Sequence, residues 1–107
     1  MKKYHLKNFT RGWIVGDFEP AILKTKGFEF MVRDYVKGEK EARHVHKVAD
    51  EISVVVSGVF KINGVILHKG DIIHLEPNVS ADFECLEDGT IAVIKMPSVK
   101  GDKYLVE

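Results

Sequence analysis

The sequence contains few of the residues that organise secreted, fibrous or membrane-embedded proteins. Its single cysteine, Cys85, cannot form a disulfide within the chain, and only three prolines punctuate the 107 residues. The start, MKKYHLKNFTRGW, lacks the apolar stretch of a signal peptide, and the longest apolar runs, such as residues 54–56, are too short to cross a bilayer. We therefore expect a soluble cytoplasmic protein without a membrane partner.

An excess of charge of either sign is also missing. Sixteen Lys and Arg residues balance sixteen Asp and Glu residues, so the formal net charge is zero. Without a long-range positive field the chain is not expected to bind nucleic acid. The 45% of hydrophobic residues suffice for one core, and the length is that of one domain.

What the sequence does have is a regular series of short β-type runs. From Phe28 onward, runs rich in Val, Ile and Phe alternate with Gly, Asn and Asp turn signals at intervals of about 8 to 12 residues, which is typical of a β-sandwich or barrel. Asn63-Gly64 predicts a type I′ hairpin turn, and Lys69-Gly70 and Asp88-Gly89 predict further turns. The predicted strands are 28–36, 52–57, 59–62, 65–68, 71–75, 81–85 and 90–96.

Two weaker patterns concern the N-terminal part of the chain. Residues 13–15 and 21–23 predict two short strands around a turn, outside the barrel or against a second subunit. In the strand 28–36, alternation separates a face of even-numbered residues from one that carries Glu29, Met31, Arg33 and Tyr35. The even-numbered face is the more apolar, and we expect it to face the core.

His44, His46 and Glu51 form the one group of residues with an evident chemistry. The two histidines are two residues apart, so on a strand both imidazoles leave the same face. Residues 47–50 allow a short reversal that brings Glu51 beside them. Two neutral imidazoles and one carboxylate are a ligand set for Fe(II), Mn(II), Zn(II), Ni(II) or Co(II), with positions left open for water or substrate.

The same residues resemble the first motif of the cupins, G-x5-H-x-H-x4-E-x6-G. Gly38, His44, His46, Glu51 and Gly58 match it with every spacing kept. From the composition of the chain, a match by chance has a probability of about one in ten thousand. The resemblance covers residues 28–96 and is to a small single-domain cupin of the RmlC-like superfamily, in an uncharacterised bacterial subgroup for which no substrate is known.

The second cupin motif, G-x5-P-x-G-x2-H-x3-N, is degenerate in this sequence. Gly70 and Pro77 fit it, and Asn78 can replace a glycine because Asn tolerates positive φ. The histidine of the motif, which is the fourth metal ligand of the family, falls on Ala81. Asp82 follows and is a tentative replacement, because a one-residue bulge would turn its carboxylate inward whereas regular alternation would point it away.

Two other residues have a structural and a functional interpretation. His74 lies in an apolar run and is either a surface histidine of a strand or a substitute for the missing ligand. Cys85 is interpreted as a small core residue, because no activating base for a nucleophile is identified.

The resemblance implies an all-β fold, a double-stranded β-helix or jelly-roll cupin barrel of two antiparallel sheets. We expect one domain, with an N-terminal arm of strands (1–27), the barrel (28–96) and a C-terminal extension (97–107). Because cupin barrels commonly pair through one sheet, a homodimer is expected. The expected cofactor is a divalent metal ion (Fe, Mn, Zn or Ni), with His44, His46, Glu51 and tentatively Asp82 as ligands.

Fold alone does not fix the reaction, and three functions remain open. The first is a metal-dependent enzyme, an isomerase, lyase or dioxygenase, acting on a small polar metabolite such as a sugar or an organic acid. The second is a non-catalytic module that binds such a molecule, which the missing histidine favours. The third is a metal-free sugar isomerase or epimerase with His44 or His46 as base and Tyr35 as acid.

Overall fold

A computed structural model of the chain describes residues 1–106, which form nine β-strands and two 3₁₀ turns, Leu6–Asn8 and Thr10–Gly12. None of its helical segments is long and apolar enough to span a membrane, as far as residue 106. The strands are β1 (Trp13–Gly16), β2 (Leu23–Lys24), β3 (Glu29–Tyr35), β4 (Lys40–Val45), β5 (Asp50–Ile62), β6 (Val65–Leu67), β7 (Ile72–Leu75), β8 (Ala81–Met96) and β9 (Tyr104–Leu105).

The strands form two layers that share the long strands β5 and β8. One layer has the order β2, β1, β3, the C-terminal half of β8, the N-terminal half of β5, and β7. The other has the order β9, β4, the N-terminal half of β8, the C-terminal half of β5, and β6. Apart from β1 and β2, all pairs are antiparallel, so the all-β jelly-roll prediction is confirmed.

Each of the two long strands replaces two shorter predicted ones. The register between β5 and β8 shifts three times between Val55 and Phe60, and the strands bend there from one layer into the other. Gly58 has a φ of +82°, and a Cβ on it would lie 2.6 Å from the Cα of Gly89. The predicted turn at Asp88-Gly89 is therefore wrong, because the glycines let two backbones cross closely without reversing the chain.

Two local predictions are tested by the backbone. Asn63 and Gly64 have φ angles of 50° and 77°, as a type I′ turn requires, and they join β5 to β6 with Ile62 opposite Val65. The hairpin prediction is confirmed. The N-terminal strands β1 and β2 exist but pair in parallel, and β1 extends the layer beside β3.

The core lies at the bend of the long strands, where three aromatic rings pack against one another. The ring of Tyr35 lies 5.8 Å from that of Phe60 and 4.8 Å from that of Phe83, measured between centroids. Phe60 and Cys85 are almost completely buried, which agrees with a core position for the cysteine. Burial also raises the pKa of the Cys85 thiol.

The interpretation of the β3 faces is wrong. The odd-numbered residues face the interior, where Met31 and Tyr35 are 5% and 7% exposed, and Asp34 on the other face is exposed. The inner end of this face carries polar side chains because the barrel encloses a polar cavity as well as a core. An apolar stripe on one strand therefore did not identify the inward side.

Candidate metal and ligand site

A cavity of about 230 Å³ opens between the two layers. His44, His46 and Glu51 line it together with Tyr35 and Ala81. His44 comes from the end of β4, His46 follows that strand, and Glu51 is the second residue of β5. The structure thus brings the three residues of the first motif to one cavity.

The two imidazoles are buried and lie close together. His44 and His46 are 8% and 6% exposed, and their ring centroids are 5.2 Å apart, with the planes at 80°. Nε2 of His46 lies 3.8 Å from Oε2 of Glu51, whose side chain is 16% exposed. The group is shielded from bulk water yet open to the cavity.

Hydrogen bonds to the backbone fix the tautomer of both rings. Nδ1 of His44 lies 3.0 Å from the carbonyl oxygen of Ala42, and Nδ1 of His46 forms a hydrogen bond to the carbonyl oxygen of Asp102. A carbonyl only accepts hydrogen bonds, so each Nδ1 carries the hydrogen. In the neutral rings both Nε2 atoms therefore keep a free lone pair, the arrangement that orients metal-binding histidines.

The donor chemistry of these residues fits a divalent metal ion, since it offers two imidazole nitrogens and a carboxylate. Across residues 1–106, however, no three His, Cys, Asp or Glu side chains are already close enough to hold an ion as they stand. His44, His46 and Glu51 are neighbours around a cavity rather than a closed ligand set. Side-chain adjustment would have to accompany metal binding.

Ala81 lies directly opposite His44 in the β4–β8 pair and is 4% exposed. Asp82 also lines the cavity, but its carboxylate is engaged by neighbours: its Oδ2 lies 3.1 Å from Nη2 of Arg43, and its Oδ1 accepts the backbone N–H of Asn63 at 2.8 Å. The bulge of this region falls in β4, between Glu41 and His44, and not at Asp82. The Asp82 side chain is 46% exposed, and both its carboxylate oxygens are engaged by these neighbours.

His74 takes the surface position. Its Nε2 lies 2.9 Å from the carboxylate of Asp50, and the side chains are 49% and 46% exposed. In the β5–β7 pair His74 lies opposite Ile52, whereas the next residue, Leu75, lies opposite Glu51 and lines the cavity. Because successive residues of a strand point to opposite faces, His74 faces away from the cavity. The interpretation of His74 as a substitute ligand is wrong, because β7 presents it to solvent.

Glu41 is a cavity residue that the sequence pattern missed. Glu41 and His44 are three positions apart, so regular alternation would place the two on opposite faces. The β4 bulge changes this: Glu41 pairs with Phe83 and His44 with Ala81, and the two partners share one face of β8. The Glu41 carboxylate forms no ion pair with any residue that the structure describes.

Tyr35 contributes a hydroxyl to the same cavity. Burial, followed by the negative charge of Glu41, raises its pKa to about 12, although the guanidinium of Arg33, 4.6 Å from the ring centroid, acts in the opposite direction. The hydroxyl is therefore protonated at neutral pH. It forms no hydrogen bond to another side chain or backbone group of residues 1–106 and faces whatever fills the cavity.

One row of charged residues crosses the cavity floor. Lys95 lies between Glu29 on β3 and Glu51 on β5 in the strand register. Its Nζ lies 2.9 Å from Oε1 of Glu29, and both side chains are largely buried. Ser98 donates a hydrogen bond of 2.9 Å to the other Glu29 oxygen. Apart from Glu51, the sequence pattern does not identify these residues as part of the site, because only the strand register aligns them.

The fold and the motif residues together define a class: the chain has the double-stranded β-helix fold of the RmlC-like cupins. It is similar to an uncharacterized conserved double-stranded β-helix protein from Klebsiella pneumoniae, with 25% identity, 80% coverage of each chain and a TM-score of 0.68. It is similar to an RmlC-like cupin from Shewanella frigidimarina, with 24% identity, coverage of 73% of this chain and 82% of that one, and a TM-score of 0.56.

A third similar structure is the DMSP lyase DddQ from Ruegeria pomeroyi, with 16% identity and a TM-score of 0.72. The match covers 88% of this chain but only 49% of the lyase, so the chain spans about half the length of that protein. No protein-family model matches the sequence, and no curated protein matches it significantly.

Proposed function

We propose that the protein is a small cupin that holds a divalent metal ion, Fe, Mn, Zn or Ni, through His44, His46 and Glu51. It acts on, or binds, a small polar metabolite such as a sugar or an organic acid. The observation that carries the proposal is the pair of Nδ1–H bonds, which leaves a lone pair on each Nε2 in a cavity shared with the carboxylate. A bound ion would supply Lewis acidity toward a carbonyl or carboxylate of the ligand, or would activate dioxygen.

The size and lining of the cavity support a small polar ligand. At about 230 Å³ it is smaller than the roughly 300–1,000 Å³ of typical ligand pockets. Tyr35 supplies a hydroxyl that is protonated at neutral pH, and Glu41 supplies a carboxylate that can accept hydrogen bonds. A ligand hydroxyl could pair with either group, whereas a ligand carbonyl or carboxylate would accept a hydrogen bond from Tyr35 only.

The experiment is metal content by plasma mass spectrometry on untagged protein. The wild type is compared with His46→Ala and with His74→Ala, a matched control that removes a histidine outside the cavity. We expect about one equivalent of metal in the wild type and in His74→Ala, and loss of it in His46→Ala. Glu51→Gln, which keeps the volume of the side chain, tests the third ligand, and thermal melts show that each variant is folded.

Metal-free wild type, even after incubation with Fe(II), Mn(II) and Zn(II), contradicts the metal proposal. Tyr35 and the histidines line the same cavity, and this observation favours the metal-free isomerase or epimerase as the second candidate. Sugar, keto-acid and DMSP turnover by protein treated with a chelator separates the two. Activity that survives chelation and is lost in Tyr35→Phe supports the second candidate, and activity restored only by metal supports the first.

The homodimer also remains a proposal, and the outer face of the β3, β8, β5 and β7 layer supports it. In the strand register Val32, Ala92, Val54 and Ile72 form one row across this face. Phe30, Ile94 and Ile52 form the next row. Ile72 is 63% exposed, and the other members are half-buried in the single chain. A second copy packed on this face would remove both apolar rows from water.

A further inference from the structure

The C-terminal segment returns to the candidate site after β8, and Asp102 is its contact point. Asp102 is 6% exposed. Its carboxylate accepts hydrogen bonds from three consecutive backbone N–H groups, those of Lys47 at 2.8 Å, Val48 at 3.2 Å and Ala49 at 3.0 Å. These residues form the loop that leads from His46 to the start of β5, so one carboxylate holds the whole connection.

The backbone of the same residue holds the imidazole. The carbonyl oxygen of Asp102 accepts the Nδ1–H of His46, which leaves Nε2 directed toward Glu51 at 3.8 Å. Asp102 therefore contacts both the ring of His46 and the loop that sets the distance from His46 to Glu51. Asp102 itself belongs to neither of the two cupin motifs.

Further contacts keep the C-terminal segment against β4. In the β4–β9 pair, Val45 lies opposite Tyr104, and the N–H of Val106 donates to the carbonyl of Arg43 at 3.0 Å. Nζ of Lys47 lies 4.0 Å from the centroid of the Tyr104 ring. The segment is thus paired along the strand that carries the histidines rather than attached at one point.

A buried carboxylate is stable only where hydrogen bonds replace its hydration, and three N–H groups do so here. Burial by itself raises the pKa of the Asp102 carboxyl, but the N–H groups of Ala49, Lys47 and Val48 outweigh this effect and lower the pKa. The Asp102 carboxylate is therefore ionised at neutral pH, and the three N–H groups hold it in a fixed position. Such partners behind a ligand orient it and commonly affect metal affinity by about 10- to 100-fold.

We propose that Asp102 is a positioning residue of the candidate metal site: it fixes the tautomer and orientation of His46 and the path of the loop to Glu51. This inference rests on the proposed function, and it adds that the C-terminal segment is part of the site. The geometry that carries it is present without a metal ion, so part of the test needs none.

The first arm measures the metal dissociation constant by chelator competition for the wild type, Asp102→Ala and Asp102→Asn. We expect Asp102→Ala to weaken binding by about 10- to 100-fold, and Asp102→Asn, which keeps one acceptor oxygen, to recover part of the loss. Asp88→Ala is the matched control, because the Asp88 carboxylate accepts the backbone N–H of Lys37 at 2.7 Å, in a different loop. It should bind metal like the wild type.

The second arm uses metal-free protein. Asp102→Ala keeps the carbonyl that accepts the Nδ1–H of His46 but loses the carboxylate that anchors this segment to residues 47–49. Nitrogen-15 NMR should therefore show the Nδ1–H tautomer for His46 in the wild type and, because the released carbonyl moves away from the ring, a mixture of tautomers in Asp102→Ala. Hydrogen exchange at the amides of residues 47–49 should be faster in the variant by about tenfold or more. A merely structural role elsewhere in the barrel would not change the His46 tautomer.

The two arms separate the two proposals. If the wild type binds no metal but the tautomer and exchange results are as expected, the metal function fails and the positioning role stands. An unchanged His46 tautomer in folded Asp102→Ala, together with unchanged metal affinity, overturns the positioning proposal. If Asp102→Ala does not fold, the same comparison is made with Asp102→Asn, for which a wild-type tautomer and affinity are the contradicting result.

Discussion

Ionisation of Tyr35 provides a test of the cavity environment that needs no ligand. Tyr35 is 7% exposed, and burial together with the charge of Glu41 raises its pKa to about 12, compared with an ordinary value of about 10. In the unfolded chain the hydroxyl regains the ordinary value. Between about pH 10 and 12 the native protein therefore binds more protons than the unfolded protein, and stability falls as the pH rises.

The magnitude follows from the shift. Two pKa units at 1.36 kcal/mol each correspond to about 2.7 kcal/mol, the upper limit of what this group contributes. The contribution is fully present below about pH 10 and is lost as the pH rises through the native pKa. Water in the cavity beside the hydroxyl would reduce the value, so a loss of about 1 to 3 kcal/mol is expected.

The assay is the ultraviolet absorbance of tyrosinate against pH for the wild type and Tyr35→Phe. The difference between the two curves isolates Tyr35 and should have its midpoint near pH 12. Denaturant melts at pH 8 and pH 11 should show a smaller loss of stability for Tyr35→Phe than for the wild type. Glu41→Gln should lower the midpoint but leave it above 10, because burial is the largest cause.

A native midpoint for Tyr35 near pH 10 would refute the reasoning. It would mean that the hydroxyl is solvated like that of a surface tyrosine and that the ring is not held between Phe60 and Phe83. The interpretation of Tyr35 as a protonated donor inside the cavity would then lose its physical basis.

Two further predictions concern the outer face and the charged row. Ile72→Lys should shift the protein from dimer to monomer in light scattering after gel filtration, and a monomeric wild type would contradict the homodimer proposal. Lys95→Met should destabilise the protein by about 3 kcal/mol in denaturant melts, because it leaves Glu29 buried without its cation. Lys24→Met, which breaks the exposed pair with Glu19, is the control and should cost less than about 1 kcal/mol.

The sequence predicted those parts of the fold and site that depend on short spacings. The turn at Asn63-Gly64 follows from two adjacent residues that accept positive φ, and the gathering of His44, His46 and Glu51 follows from alternation and one short loop. Both are decided within about ten residues. Neither needs information about which strands become neighbours.

What the sequence did not reveal depends on register between distant strands. Glu41 faces the cavity only because β4 has a bulge, and Lys95 reaches Glu29 only because β3 and β8 align them. The inward side of β3 was predicted wrongly because the more apolar face of a strand is usually the buried one. In this barrel the inward face of β3 carries polar residues that line the cavity, and the more apolar face lies on the outside. Asp102 lies more than fifty residues from His46, and no spacing rule connects the two.

The position of Ala81 explains how these features fit together. A histidine at position 81 would project from β8 directly beside His44. The methyl group of Ala81 is smaller, so the space that an imidazole would occupy is part of the cavity. Asp82 does not fill it, because Arg43 and Asn63 engage its carboxylate. The three proposed metal ligands consequently all lie on the short segment from His44 to Glu51. The geometry of such a site depends on the contacts that hold this one segment in place. In this chain the C-terminal segment supplies that support, which is why the metal affinity should respond to a residue outside both motifs.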